Sequence, residues 1–501
     1  MTDVTDYSAH IGQAQGSSYP LRVLVTTVGA ICSGIFIGVC WYFYWFIAIP
    51  AVITSYIIPR KLIERASLAW LISTSIGVAF LTQTIDTFFP NYLNPRDILL
   101  EIALWFGLGL FVRAYLVYTE LPETFEGLRA SIASRRIERW FSKVLPNSID
   151  AIFVRIWLGN SIAIIPVSVV LFLPWTVNYF VVLAYSAVLL LIQFPNETID
   201  HNHIHYRIFN PKPDAPPFER NVLRACRFYF ENVLCILSAR IPDFYRIQHV
   251  YVHHVEDNGP DDSQTTMPYD RTSFFDFSRH ALRQGLDLVS GFIVIPYLRR
   301  RGKSRQLREF LRGIAIWYAF LIVLAIFNPI ASALIFFSRL LGGNIQSIIA
   351  FYQHGVIDAS NVYDVRGNTM DYHHTDHGNL GDDYHVEHHL KPARHWSKYY
   401  EEFQRESAHE HGHQSFVMKK DMVTPLAFAG ALWKKDYDAI ARYTQIRAGG
   451  NDPSKIAELV RARTRPIGEA ELTGLPARLD AIAGRIAGWA VVTSFASCGL
   501  N

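Results

Sequence analysis

Residues 186–205 read SAVLLLIQFPNETIDHNHIH, an uncharged apolar run that passes within a few residues into Asp200-His201-Asn202-His203-Ile204-His205. Upstream the run continues without a charge to residue 156, with Pro174 near its middle. About 20 apolar helical residues cross a bilayer core, so 156–194 is long enough for two crossings. It reads as a hairpin of spans 156–173 and 177–194, and the histidines are expected where the second helix leaves the membrane. Residues three and four apart share one helix face. His201 and His205 therefore project together, while His203 faces roughly the opposite side.

Two further clusters repeat the pattern: His249-Val250-Tyr251-Val252-His253-His254 and His385-Val386-Glu387-His388-His389. A single histidine, His354, stands in Phe351-Tyr352-Gln353-His354 at the end of a later apolar stretch. Helical spacing puts His249 with His253, and His385 with His388 and His389. Together the clusters offer nine imidazoles: His201, His205, His249, His253, His254, His354, His385, His388 and His389. One tetrahedral zinc takes four ligands, so nine suit two metals of higher coordination number with positions left open. Imidazole serves iron, copper, zinc and nickel alike, and ligand type does not choose among them. A histidine-rich metal transporter is the alternative of another class, but transporters tend to bind near the bilayer midplane, and nearly all of these histidines fall outside the apolar runs, at helix edges. Asp200, Glu197, Glu387, Asp382 and Asp383 stand near enough to orient ligating rings, as carboxylates commonly do; His203 is a candidate for the same role or for an additional ligand. His373, His374 and His377 lie in a loop-like stretch, His409, His411 and His413 read as surface, and His10, His280 and His395 have no supporting pattern.

Composition agrees with a membrane chain. Half of the 501 residues are hydrophobic, 14% are aromatic and 18% are charged, below the roughly 25% charged of soluble domains. The net charge of +3 gives no argument for a nucleic-acid partner. The five cysteines show no CxxC spacing and read as reduced packing residues. The polar first 20 residues lack the form of a cleaved secretory signal, so the first apolar run is expected to stay as an anchor. Residues 23–59 carry no charge and read as two helices joined by a tight turn, 22–40 and 42–58. Further spans are expected at 66–85 and 98–118, and a last hairpin over 313–357 with Asn328-Pro329 at its turn; Arg339 within it is costly in lipid unless paired or snorkelling. Basic clusters at 60–65, 129–143 and 299–312 are separated by even numbers of spans, and the positive-inside rule puts all three, with the histidines, on the cytoplasmic side. The fold expected is an all-α polytopic membrane helical bundle whose cytoplasmic helical cap carries the histidine clusters. Its divisions are 1–149, with about four spans; 150–414, with two hairpins and the histidines; and a C-terminal cytoplasmic extension, 415–501.

The three clusters, of the forms HxxxH, HxxxHH and HxxHH, resemble the histidine boxes of the membrane fatty acid desaturase superfamily, a likeness that covers roughly residues 150–400. Tyr384-His385-Val386-Glu387-His388-His389-Leu390-Lys391-Pro392 looks like the third box of acyl-chain desaturases. Other features are similar to the alkane hydroxylase branch: His388 through Trp396, Pro260-Asp261-Asp262-Ser263, Ser273-Phe274-Phe275-Asp276-Phe277, and His354 as an extra histidine. The first box, HNHIH, departs from the usual hydroxylase form. The resemblance implies two iron ions, dioxygen as co-substrate and a lipid-like acyl or alkyl substrate. Desaturation is the leading expectation and hydroxylation the second. No haem or flavin fingerprint is visible, so electrons are expected from an external donor of ferredoxin, rubredoxin or cytochrome type. The basic cluster at 299–312 suits docking of an acidic carrier or anionic headgroups.

Overall fold

The computed structural model describes residues 19–88, 95–172, 179–362, 364–373, 375–407, 415–419, 425–447 and 452–468. His10, His374, His409, His411, His413, Cys498 and the apolar stretch near 486–500 lie outside them. The chain is mostly helical. Its long helices are α1 (Tyr19–Ile57), α2 (Ser67–Phe88), α3 (Pro95–Thr119), α4 (Ala151–Phe172), α5 (Tyr179–Tyr206), α6 (Phe274–Ser290), α7 (Ser304–Phe327) and α8 (Pro329–His354). Among the described residues six stretches are long and apolar enough to cross a membrane: Val23–Trp41, Ile102–Thr119, Ser148–Phe172, Phe180–Tyr206, Ser304–Phe327 and Pro329–His354. The protein is a multi-pass membrane protein.

The hairpin expected over 23–59 does not form. α1 is one helix of 39 residues with Pro50 inside it, about 58 Å long at 1.5 Å per residue. Apolar length alone cannot tell a hairpin from one long helix, and no turn-forming pair interrupts the run. Its second half is held by α3: a Cβ on Gly109 would stand 2.2 Å from the Pro50 carbonyl oxygen, and Arg113 donates to the carbonyls of Thr54 and Ile58, each at 2.7 Å.

The last hairpin turns at Asn328, whose side chain caps α8 by accepting from Ala331 N (3.0 Å) and donates to Leu171 O (2.8 Å). α6 packs lengthwise on α8 without spanning. Backbones touch there, since a Cβ on Gly343 would meet Gly285 N at 2.3 Å. Arg339 is buried, with Nε donating to Leu288 O at 3.3 Å and its guanidinium over the Phe244 ring at 5.1 Å. That is how a charge expected to be costly in a span is accommodated. The four described cysteines are free.

One end of the bundle gathers the loops. Arg60 pairs with Glu120, whose carbonyl accepts from Arg155 at 3.1 Å, and Arg155 pairs with Glu138 at 2.9 Å, so a chain of contacts links the first basic cluster to the second. His377 Nε2 faces Pro122 O at 2.8 Å, tying the stretch before the third box to the same end. A small sheet adds to the helices: β1 (Asp371–His373) runs parallel to β2 (Phe416–Lys419), which pairs antiparallel with β3 (Thr444–Ile446). Its apolar face shares a core with Tyr352 of α8, Phe428, Ile440 and Ile456. Described residues after 415, Phe416, Phe428, Ile440 and Ile456 among them, thus pack with Tyr352 near the end of α8.

Candidate metal centre

The end of α5 presents His201 and His205 on one face, as helical spacing requires. The second box does not follow the α-helical rule. His249–His253 is a π-helical turn, in which the backbone bonds i to i+5, so residues five apart come together. His249 and His254 meet there, Nε2 to Nε2 at 3.0 Å, and His253 points elsewhere. The third box is the short helix α9 (His385–Leu390). His385 and His389, four apart, meet at 3.1 Å through Nε2, while His388 leaves on another face.

All nine rings converge in two sets. His201, His205, His249, His254 and His388 offer nitrogens within 4.8 Å of one another, and so do His253, His354, His385 and His389. The pairings of His249 with His253 and of His388 with its box neighbours, expected from spacing, give way to this division into five and four. All but His205 are buried. Within the sets, Nε2 atoms face each other across 2.9 Å (His201, His388) and 3.2 Å (His354, His385).

These contacts test whether a metal fits. Of two facing Nε2 atoms, one at most carries the shared proton, and the buried Nε2 of His205 has no hydrogen-bond partner among the described residues. Burial, followed by repulsion from neighbouring rings, holds His249, His254, His385, His388 and His389 well below the ordinary imidazole range. Neutral rings with converging lone pairs are the metal-binding form. The two sets are able to hold metal ions.

Five of the opposite ring nitrogens are engaged, whereas the buried Nδ1 atoms of His254 and His385 have no hydrogen-bond partner among the described residues. His201 Nδ1 meets Asp382 Oδ1 at 2.5 Å, His253 Nδ1 meets Asp262 Oδ2 at 2.6 Å, and His389 Nδ1 meets Asp257 Oδ1 at 2.8 Å. His388 Nδ1 faces the Tyr399 hydroxyl (3.1 Å), and His354 Nδ1 faces Asn368 O (3.0 Å). Such partners fix which nitrogen points inward. Of the acids singled out from the sequence, Asp382 stands against one of the nine rings. Asp200 and Glu197 pair with Arg240, Glu387 with Arg447, and the Asp383 carbonyl accepts from Tyr372 N. His203 joins neither set; its Nε2 meets Glu231 at 3.0 Å. His280 bonds Ser347, His395 bonds Asp150, and His373 faces the Tyr384 hydroxyl.

Sequence reasoning missed Asp257, the orienting part of Asp262, and Tyr399. The available signal was the acid-rich Glu256-Asp257-Asn258-Gly259-Pro260-Asp261-Asp262 just after the second box. Asp257 and Asn258 take positive φ, 42° and 62°, which few non-glycine residues do. This sharp turn follows the box directly, and Asp257 within it and Asp262 just beyond it each reach a ring.

Residues 201–420 match the family model described as fatty acid desaturase. No curated protein and no solved structure matches the chain. With three boxes gathered into two buried histidine sets at one end of a spanning bundle, the segment 201–420 belongs to the fatty acid desaturase family, a family of oxidoreductases.

Proposed function

We propose that this protein is a dioxygen-dependent two-iron membrane oxidase that desaturates a fatty acyl chain, with His201, His205, His249, His254 and His388 holding one iron and His253, His354, His385 and His389 the other. The observation that carries the reading is the five-and-four division of nine buried imidazoles. When bound, the iron pair supplies the redox chemistry with dioxygen that no side chain can perform on a methylene C–H bond. The chain's own residues hold and orient. Asp382, Asp262, Asp257 and Tyr399 lock ring orientation from behind, and burial keeps water from the rings. Two electrons per turnover come from an external donor, and the boxes face the cytoplasm by the loop-charge argument.

A lipid-like chain is supported by an apolar cavity of about 290 Å³ between α1, α5 and α8, lined by Phe36, Leu183, Leu189, Leu334, Phe337 and Ile345 among others. Its lining reaches Gln193 of α5, eight residues or about 12 Å along the helix before His201. Oxygen insertion at a C–H bond is the second reading. His354 and Asp262, two positions similar to the hydroxylase branch, both belong to the four-histidine set or its supports, which favours it. Metal analysis of purified protein together with mass spectrometry of lipids and hydrocarbons from cells with and without the gene tests both. Two irons per chain and products lighter by two hydrogens are expected. Products heavier by one oxygen would establish the second reading, and zinc alone with metal flux into vesicles would replace both with transport.

A further inference from the structure

The third box is braced by a residue beyond the segment that matches the family. Arg447 follows β3 directly and is 5% exposed. It forms ion pairs with Glu387, between the box histidines, and with Asp371 of β1 at 3.0 Å. Both carboxylates are buried, at 2% and 0% exposure. Asp371 in turn accepts from Val386 N at 2.8 Å, at the start of α9. The sheet makes this possible. β2 lies between β1 and β3, Arg447 N donates to Ser415 O at 2.9 Å, and the guanidinium stacks over the Phe403 ring at 4.8 Å. Two strands and a loop from distant parts of the chain thus deliver one cation to two buried acids at the base of α9.

We infer that Arg447 is a positioning residue for the metal centre: the C-terminal module at 415–468 sets the orientation of α9, and so completes the four-histidine set. Two carboxylates buried within reach of each other repel and are costly without a compensating cation. Without Arg447, Glu387 moves away from Asp371 and turns the helix that carries His385 and His389. His388 also sits on α9, but its set keeps four ligands from α5 and the second box, so the loss falls on the four-histidine set. This inference rests on the two-metal reading above.

The test is metal content and chelator sensitivity of the full-length protein in detergent for the Arg447→Gln, Arg447→Lys and Glu387→Gln/Arg447→Gln variants. Arg447→Gln is expected to keep one iron and release the other at about 10- to 100-fold lower chelator, the usual cost of losing an outer support. Arg447→Lys is expected to recover the second iron in part. The double variant, which removes the uncompensated acid along with the cation, is expected to recover it even if Arg447→Gln alone fails to fold. Two irons of unchanged chelator sensitivity in Arg447→Gln, or one iron or none in the double variant, overturns the inference. An unaltered chain with fewer than two metals refutes the two-metal reading and takes this inference with it.

Discussion

Asp257 accepts from His389 at 2.8 Å and also stands within 4.8 Å of a ring nitrogen of His254, so one carboxylate reaches a member of each histidine set. Direct bonding is to the four-histidine side. Asp257→Asn keeps the shape but weakens the acceptor, and iron in that set is expected to bind about 10- to 100-fold more weakly. Asp382→Asn, behind His201, is expected to weaken the other iron instead. Chelator titration of the two variants separates these effects; equal, unchanged release curves would falsify the orienting role.

His253→Ala and His388→Ala remove one ring from each set. Both are expected to abolish activity and lower iron content while the protein still inserts in the membrane. The four-histidine set drops to three nitrogens in the first case, whereas the five-histidine set drops to four in the second. Iron loss is therefore expected to be greater for His253→Ala, as measured by elemental analysis. Full activity in both variants would end the ligand assignment.

The cavity gives a specificity prediction. Leu189 lines it from α5 and is largely buried. Leu189→Trp should fill part of its volume and shift product profiles toward shorter chains, with iron content unchanged. An unaltered chain-length profile in lipid mass spectrometry would separate this cavity from the substrate path.

Arg155 and Glu138 form a buried pair at 2.9 Å, with side chains 1% and 3% exposed, and Arg155 also donates to Glu120 O and Ser131 Oγ. Removing one partner of a buried pair costs about 3 kcal/mol or more. Glu138→Gln is expected to lower the melting temperature in detergent by several degrees without changing iron content. A melting curve superimposable on the parent's would show that the pair contributes nothing.

Much of the site was legible because its signals are local. Uncharged runs of about 20 residues mark membrane helices in any tertiary context, and His201 with His205 needed only the α-helical period. Eight of the nine rings could be named from cluster spacing and His354 from its place at the end of an apolar stretch, but their division could not. That division depends on a π-helical turn at His249–His253, which hydropathy and α-periodicity do not encode. The first apolar run misled for a related reason. Length and polarity are the same for a hairpin and for one 39-residue helix, and the close approach of Gly109 to Pro50 is a contact between segments far apart in sequence.

By itself the sequence determined that this is a membrane-embedded helical chain with imidazoles enough for two metals, nearly all outside its apolar runs, because hydropathy and helix faces are properties of neighbouring residues. Only the tertiary structure decided which ring stands with which set, that Asp257 and Asp262 stand behind His389 and His253, and that Arg447 pairs with Glu387 of the third box. Those contacts join residues up to 187 positions apart in the His201–His388 case, and packing, not local pattern, brings such residues together.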